Sequence, residues 1–412
     1  MPSLDRQLRS LYAYAFFTYP FACVPFLFLF FRQHGIGEAG YGEVVGAYYL
    51  AMFVAELPTG VLADRFGPQR MLVAGPLLLA IGFLTLLAWP TYPGFLLGEV
   101  LLGLGHAVLS GPPAAILYET LARHGQQHRY LAIESKLSAL RLLGTGCAFL
   151  LGGALVRTSG DYTQAIVATA VGNVVATVLA LRIHGGPARP SLRAQTFLAH
   201  AGTELRKKPV LWLLAYWIVL FALLRFPFHN YQPWLQSAGE QEPLLHDPLF
   251  VGLLFAAMNL GAAPMSALVP RLVERWGRRL LFWSMPLLLG ASLAVMAWER
   301  GRAAAGNGSA SLAWLGIAMF FVQQVPFGMH TALLQEFVNH RIGPTARTTL
   351  LSAVSLGARS VYAAVNVGLF SLQQHRGLAA AFWTAAILGS ALACVVLWLR
   401  PRGLLRGAGP VA

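Results

Sequence analysis

Nine ionisable side chains interrupt long apolar runs of this sequence: the acids Glu56, Glu99, Glu119, Glu134 and Glu336, and the bases Lys136, Arg141, Arg225 and Arg359. A charge at membrane depth costs several kcal/mol unless it is paired or lines water, so each is a candidate functional group. Counting about 1.5 Å per residue from the nearest loop puts Arg141 and Arg359 about 15–20 Å deep, with Arg225 past the midplane towards the outside. A guanidinium presents a planar fork of donors to a carboxylate or phosphate. Arg141, Arg225 and Arg359 are therefore expected to bind an anionic or zwitterionic solute. The competing reading is that Glu56 or Glu99 neutralises them. Glu119, Glu134, Lys136 and Glu336 come out roughly 5–9 Å from the inner surface, where gate or bundle salt bridges belong, Glu119 with Lys136 first among them.

Glu56, in Glu56-Leu57-Pro58-Thr59-Gly60, and Glu99 are the candidate proton carriers, because a carboxylate in a low dielectric can be held neutral. His106, His229 and His330 could titrate as well, although a lone helical histidine is more often a packed hydrogen-bonding residue. Aromatics crowd the first, second and seventh apolar runs. Of these, Tyr48 and Tyr216 lie deep enough to line a cavity and stack on a planar solute or a cation. No Gly-Lys-Ser/Thr phosphate loop, Ser–His–Asp set or His-Glu-x-x-His run occurs, so neither nucleotide-driven pumping nor catalysis is expected. Cys23, Cys147 and Cys394 are widely spaced within apolar stretches and offer neither a disulfide framework nor metal spacing. No cofactor or metal is expected.

The elements that must position these groups are membrane spans. Charged residues make up 11% and apolar residues 57% of the 412, and mean hydropathy is +0.60. A chain so poor in charge cannot cover a surface facing water, and lipid is the alternative solvent. About 20 apolar residues make a span. On that measure twelve fall at roughly 10–31, 42–63, 71–89, 94–122, 131–156, 162–183, 210–236, 248–270, 280–298, 311–338, 347–372 and 378–399. The first is read as a retained span and not a signal peptide, being too long and lacking a small-residue cleavage site. Twenty-one of the 30 Lys and Arg residues fall in the segments that are cytoplasmic if the N-terminus is, against five on the other side. Both termini are thus expected inside. The net charge of +14 follows this loop pattern and not a basic face with interleaved aromatics, so nucleic acid is not an expected partner.

The segment 184–208, with Gly185-Gly186-Pro187, divides the chain into bundles at 1–183 and 209–412. Leu62-Ala63-Asp64-Arg65-Phe66-Gly67 is echoed by Leu272-Val273-Glu274-Arg275-Trp276-Gly277, 210 positions on. An acid, arginine, aromatic and glycine at one place in each half point to a duplicated six-span unit.

Gly60-Val61-Leu62-Ala63-Asp64-Arg65-Phe66-Gly67-Pro68-Gln69-Arg70 resembles the loop 2–3 signature of major facilitator superfamily transporters. The resemblance covers the whole chain through its twelve spans and the weaker second copy. It implies an all-α membrane protein of two pseudo-symmetric six-helix bundles, in which Gly60, Asp64, Arg65, Gly67 and Arg70 form a cytoplasmic gating latch. It also implies a secondary transporter, monomeric, in the plasma membrane, carrying a small molecule with protons, export being slightly favoured. From the residues alone, Gly60 would let two helices approach closely, and Asp64 would sit by the next helix N-terminus. The chain departs from the family twice. Glu99 stands where an arginine linked to proton coupling is usual, and Ala148-Phe149 replaces the Gly-Pro that precedes Gly152-Gly153 in antiporters. A lipid-translocating protein and a non-transporting receptor or scaffold are the alternatives.

Overall fold

The computed structural model describes residues 3–185, 207–341, 344–401 and 404–405. These form thirteen α-helices: α1 (Leu4–Phe17), α2 (Leu27–Gln33), α3 (Glu38–Phe66), α4 (Pro68–Ala88), α5 (Tyr92–Val108), α6 (Pro112–Arg123), α7 (Tyr130–Ser159), α8 (Thr163–Leu181), α9 (Lys208–Ala238), α10 (Pro248–Arg302), α11 (Ala310–Arg341), α12 (Pro344–Arg376) and α13 (Leu378–Trp398). No strand occurs among the described residues.

The helices are inside out relative to a water-soluble fold. On α8, Val167, Val171, Val174, Val178 and Leu181 are exposed, while Thr169 and Asn173 are buried. On α13 the exposed stripe is Ile387, Leu388, Leu392 and Val395. Burying hydroxyl and amide groups while exposing valine and leucine stabilises a helix only where the outer solvent is apolar. Among the described residues eight helical stretches are long and apolar enough to cross a membrane, nine if α3 is taken as one span through its 50° bend between Glu56 and Pro58. The chain is a multi-pass membrane protein.

Several expected spans differ in form, that at 94–122 being split between Val108 and Pro112. The stretch expected as one span at 10–31 is broken: α1 ends at Phe17 and α2 starts at Leu27. Pro20 and Pro25 lie in the break, where proline removes backbone donors and cannot continue the ladder. Conversely, the spans expected at 248–270 and 280–298 form one helical run, interrupted only at Gly277 with φ 73°, ψ 154°.

The described residues divide into two compact units. One takes the chain to Ile36, the stretch from Ala47 through α8, and Asp247–Leu260. Its broken first span is held by glycines of α7. A Cβ at Gly144 would lie 1.9 Å from the Phe16 carbonyl oxygen, and one at Gly152 2.0 Å from that of Ala22. The freed backbone finds side-chain partners. Thr145 Oγ1 donates to the Tyr19 carbonyl at 3.1 Å, and the Cys23 amide donates to Thr169 Oγ1 at 3.0 Å. Segment Asp247–Leu260 runs along α7 through Arg157–Asp247 (3.4 Å), Phe149 against Phe255, and Asn259 Nδ2 donating to the Leu142 carbonyl (2.8 Å).

The other unit contains Gly37–Gly46 and α9, then the remainder of α10 and α11–α13. Asn366 Nδ2 donates to the Gly42 carbonyl at 2.9 Å, fixing the start of α3 on α12. A buried neutral network of Tyr231, Gln323, Gln324 and Ser292 ties α9, α10 and α11 together.

Candidate solute-binding site

The break after α1 borders a cleft that joins ionised and polar groups. Where α1 stops, Thr18 and Tyr19 face α7 across a cavity of about 190 Å³, lined also by Tyr14, Ser110, Glu134 and Arg141 and floored by Leu109 and Leu137. Arg141 pairs with Glu134, two turns back on α7, and donates to Ser138 Oγ at 2.8 Å. Both members stay open to the cleft, at 24% and 30% exposure. Glu134, and not Glu56 or Glu99, therefore neutralises Arg141, because a spacing of seven brings two long side chains onto one helix face. Tyr14 is 3% exposed, yet its hydroxyl has no hydrogen-bond partner among the described residues. Beside the cleft, the His106 ring lies against Tyr19 (6.0 Å between centroids) and edge-on to Tyr48 (5.5 Å). Tyr48 is half-buried, as a wall residue would be.

The other candidates scatter. Glu119 pairs with Arg123 at 3.7 Å, one turn along its own helix, and Lys136 is exposed, so the expected Glu119–Lys136 bridge is replaced by a local one. The side chain of Glu336 lies outside the described residues. Glu99 on α5 is 5% exposed, and no hydrogen bond or ion pair to its carboxylate occurs among the described residues. Glu56 lies half-buried at the α3 bend, where its carbonyl accepts from Thr59 Oγ1 at 3.2 Å. Tyr216 borders a gap, shared with Trp217, Phe282 and His330, that has no room for a water. It is 2% exposed, and its hydroxyl donates to the Phe282 carbonyl at 2.8 Å between Trp212 and Phe282 rings, which makes it a core residue.

In the second unit, Arg225 lies over three rings, Phe221, Phe228 and Phe327, at 5.4–5.7 Å. Aromatic faces stabilise a guanidinium where no carboxylate does, and among the described residues Arg225 has no acidic partner. His330 stacks on Trp217 and His229 on Tyr362. Arg359 is half-buried on α12. Arg300 is buried beside Glu299 and over the Trp234 ring.

The duplicated motif reappears as geometry. Gly67, between α3 and α4, has φ 84°, ψ 154°, and Gly277, 210 positions on, has φ 73°, ψ 154°. Only glycine adopts this region readily, so both copies turn the chain by one glycine-specific hinge. Asp64 is half-buried and Arg70 exposed, while Arg65 lies over the neighbouring Phe66 ring at 5.5 Å. Gly60 does not mediate the close helix approach expected of it, since nothing lies within 4 Å of a Cβ there.

The sequence profile of the Major Facilitator Superfamily matches residues 11–365. The chain belongs to this superfamily. The multidrug resistance protein MdtH of Aeromonas hydrophila subsp. hydrophila is 32% identical over 34% of this chain and 35% of its own. An MFS-type transporter of Aspergillus fumigatus is 33% identical over 23% of each chain. The matched stretches thus span about a quarter to a third of these relatives' own length. In fold, the chain is similar to the nucleoside transporter NupG, with a TM-score of 0.74 at 14% identity over 96% of this chain and 98% of that one. It is also similar to a POT family transporter in complex with 5-aminolevulinic acid, with a TM-score of 0.72 at 13% identity over 97% and 96%. At such identities the likeness establishes the major facilitator fold alone.

Proposed function

We propose that this protein is a proton-coupled secondary transporter, moving a small solute by alternating access of two six-helix bundles at 1–183 and 209–412. In this reading twelve spans cross the plasma membrane, the 184–208 linker and both termini are cytoplasmic, and the protein acts as a monomer. The observation that carries the proposal is the Arg141–Glu134 pair open to a polar cleft inside an apolar helical unit. Ion pairs at membrane depth belong to solute or proton pathways. Arg141 and Tyr48 are assigned to solute binding in the first unit, and Arg225 and Arg359 in the second. Glu99 is the first proton carrier, because it is buried without a hydrogen-bond or ion-pair partner among the described residues, and Glu56, at a helix bend, is the second. The Gly60–Arg70 turn is the cytoplasmic latch. Export is favoured because one partial relative is named a multidrug resistance protein.

The test is flux in proteoliposomes under an imposed pH gradient, across a panel of metabolites and amphipathic drugs. The expected result is at least tenfold faster flux of one solute with the gradient than without, and loss of that stimulation in Glu99→Gln with gradient-free exchange retained. Absence of solute flux across the whole panel in folded, correctly inserted protein would remove the transporter reading. Gradient-stimulated flux that persists in both Glu99→Gln and Glu56→Gln would remove the assignment of carriers.

A further inference from the structure

We infer that the cleft between α1 and α7 takes a zwitterion the size of an α-amino acid, its carboxylate on Arg141 and its ammonium on Glu134. This deepens the transporter reading and rests on it for its physiological sense, though binding is tested separately.

Three observations lead there. The ionised lining residues of the cleft are one cation and one anion, already paired with each other. A simple anion that took Arg141 would strand Glu134 as an uncompensated charge in a low-dielectric site, and a simple cation taking Glu134 would strand Arg141. A ligand carrying both charges replaces both halves of the pair and strands neither. Tyr14 lines the cleft beside Thr18, and its buried hydroxyl has no hydrogen-bond partner among the described residues, so a ligand group that reached it would complete it. Thr18 and Ser110 add hydroxyls on the same wall, while Leu109 and Leu137 offer an apolar floor to a short side chain. The volume sets the size. About 190 Å³ lies below the roughly 300–1,000 Å³ of drug-sized sites and suits a molecule of about ten heavy atoms or fewer.

The experiment is equilibrium binding to purified full-length protein in detergent. L-alanine and L-leucine are each compared with the matched acid (propionate, isocaproate) and the matched amine (ethylamine, isoamylamine). At least one amino acid is expected to bind tenfold or more tightly than both of its partners. Arg141→Gln and Glu134→Gln are each expected to lose at least tenfold of that affinity, and Tyr14→Phe about threefold. The double variant with charges exchanged, Glu134→Arg with Arg141→Glu, is expected to recover part of it. Gel filtration and melting curves select the folded variants, and Tyr14→Phe supplies the test should a charge variant fail to fold. Acid or amine binding as tightly as its parent amino acid, neither amino acid binding, or affinity unchanged in the folded variants would each overturn the inference. Flux of another solute, insensitive to these variants, would leave the transporter reading standing while this inference falls. Amino-acid binding without any flux would do the reverse.

Discussion

Replacing Gly144 by alanine should damage this protein well beyond what one methyl group ordinarily does. The added Cβ would lie 1.9 Å from the Phe16 carbonyl oxygen and 2.9 Å from its carbon, both backbone atoms, where real contacts do not fall below 3.0 Å. A flexible side chain could swing aside, but a backbone carbonyl moves only with its helix, so α1 must withdraw from α7 by about 1 Å. Overpacking of this kind costs about 1–3 kcal/mol. The withdrawal also stretches the neighbouring bond from Thr145 Oγ1 to the Tyr19 carbonyl, now 3.1 Å, which adds about 1 kcal/mol. At about 2.1 cal/mol/K per residue, a chain of 412 residues shifts by about 1 °C per kcal/mol, so the melting midpoint falls by at least about 2 °C. The ten tryptophans give the readout, as fluorescence during a thermal ramp in detergent. The control is Gly368→Ala, in α12, where nothing lies within 4 Å of the new Cβ. There alanine's better helix propensity should raise stability by about 0.5–1 kcal/mol. A Gly144→Ala protein that melts within about 1 °C of wild type would refute the reasoning, because it would mean that α1 does not press on α7 at this point.

The two duplicated hinges should respond alike: Gly67→Ala and Gly277→Ala each place a side chain at a positive φ and should each cost about 1–3 kcal/mol in the same melting assay, a result that a one-sided response would contradict. Tyr216→Phe should lower stability by about 1–2 kcal/mol through the stranded Phe282 carbonyl, while leaving solute affinity in a binding titration untouched. Glu119→Gln should change the melting point little, because its bridge to Arg123 is a partly exposed pair one turn apart worth less than about 1 kcal/mol. A loss above about 2 kcal/mol would reveal a gate role for Glu119 that the structure does not display.

Composition and periodicity alone determined that this chain lives in lipid, builds its described elements from helices, and repeats itself at an offset of 210. Those properties are sums over many residues, and no single contact alters them. The Asp64-Arg65-x-Gly67 turn was equally legible, since a glycine-only backbone conformation leaves its mark in one letter. Partnerships between side chains were not. Glu119 could have met Lys136 or Arg123, and Arg141 could have met Glu56, Glu99 or Glu134, because every option satisfied the count of charges. Which pair forms depends on helix rotation and on where α1 breaks. The break borders the cleft, yet in sequence it showed only as two prolines in an apolar run. Tyr216 and Tyr48 looked alike for the same reason: depth along a helix follows from residue number, whereas the face it turns to a neighbour is decided by packing.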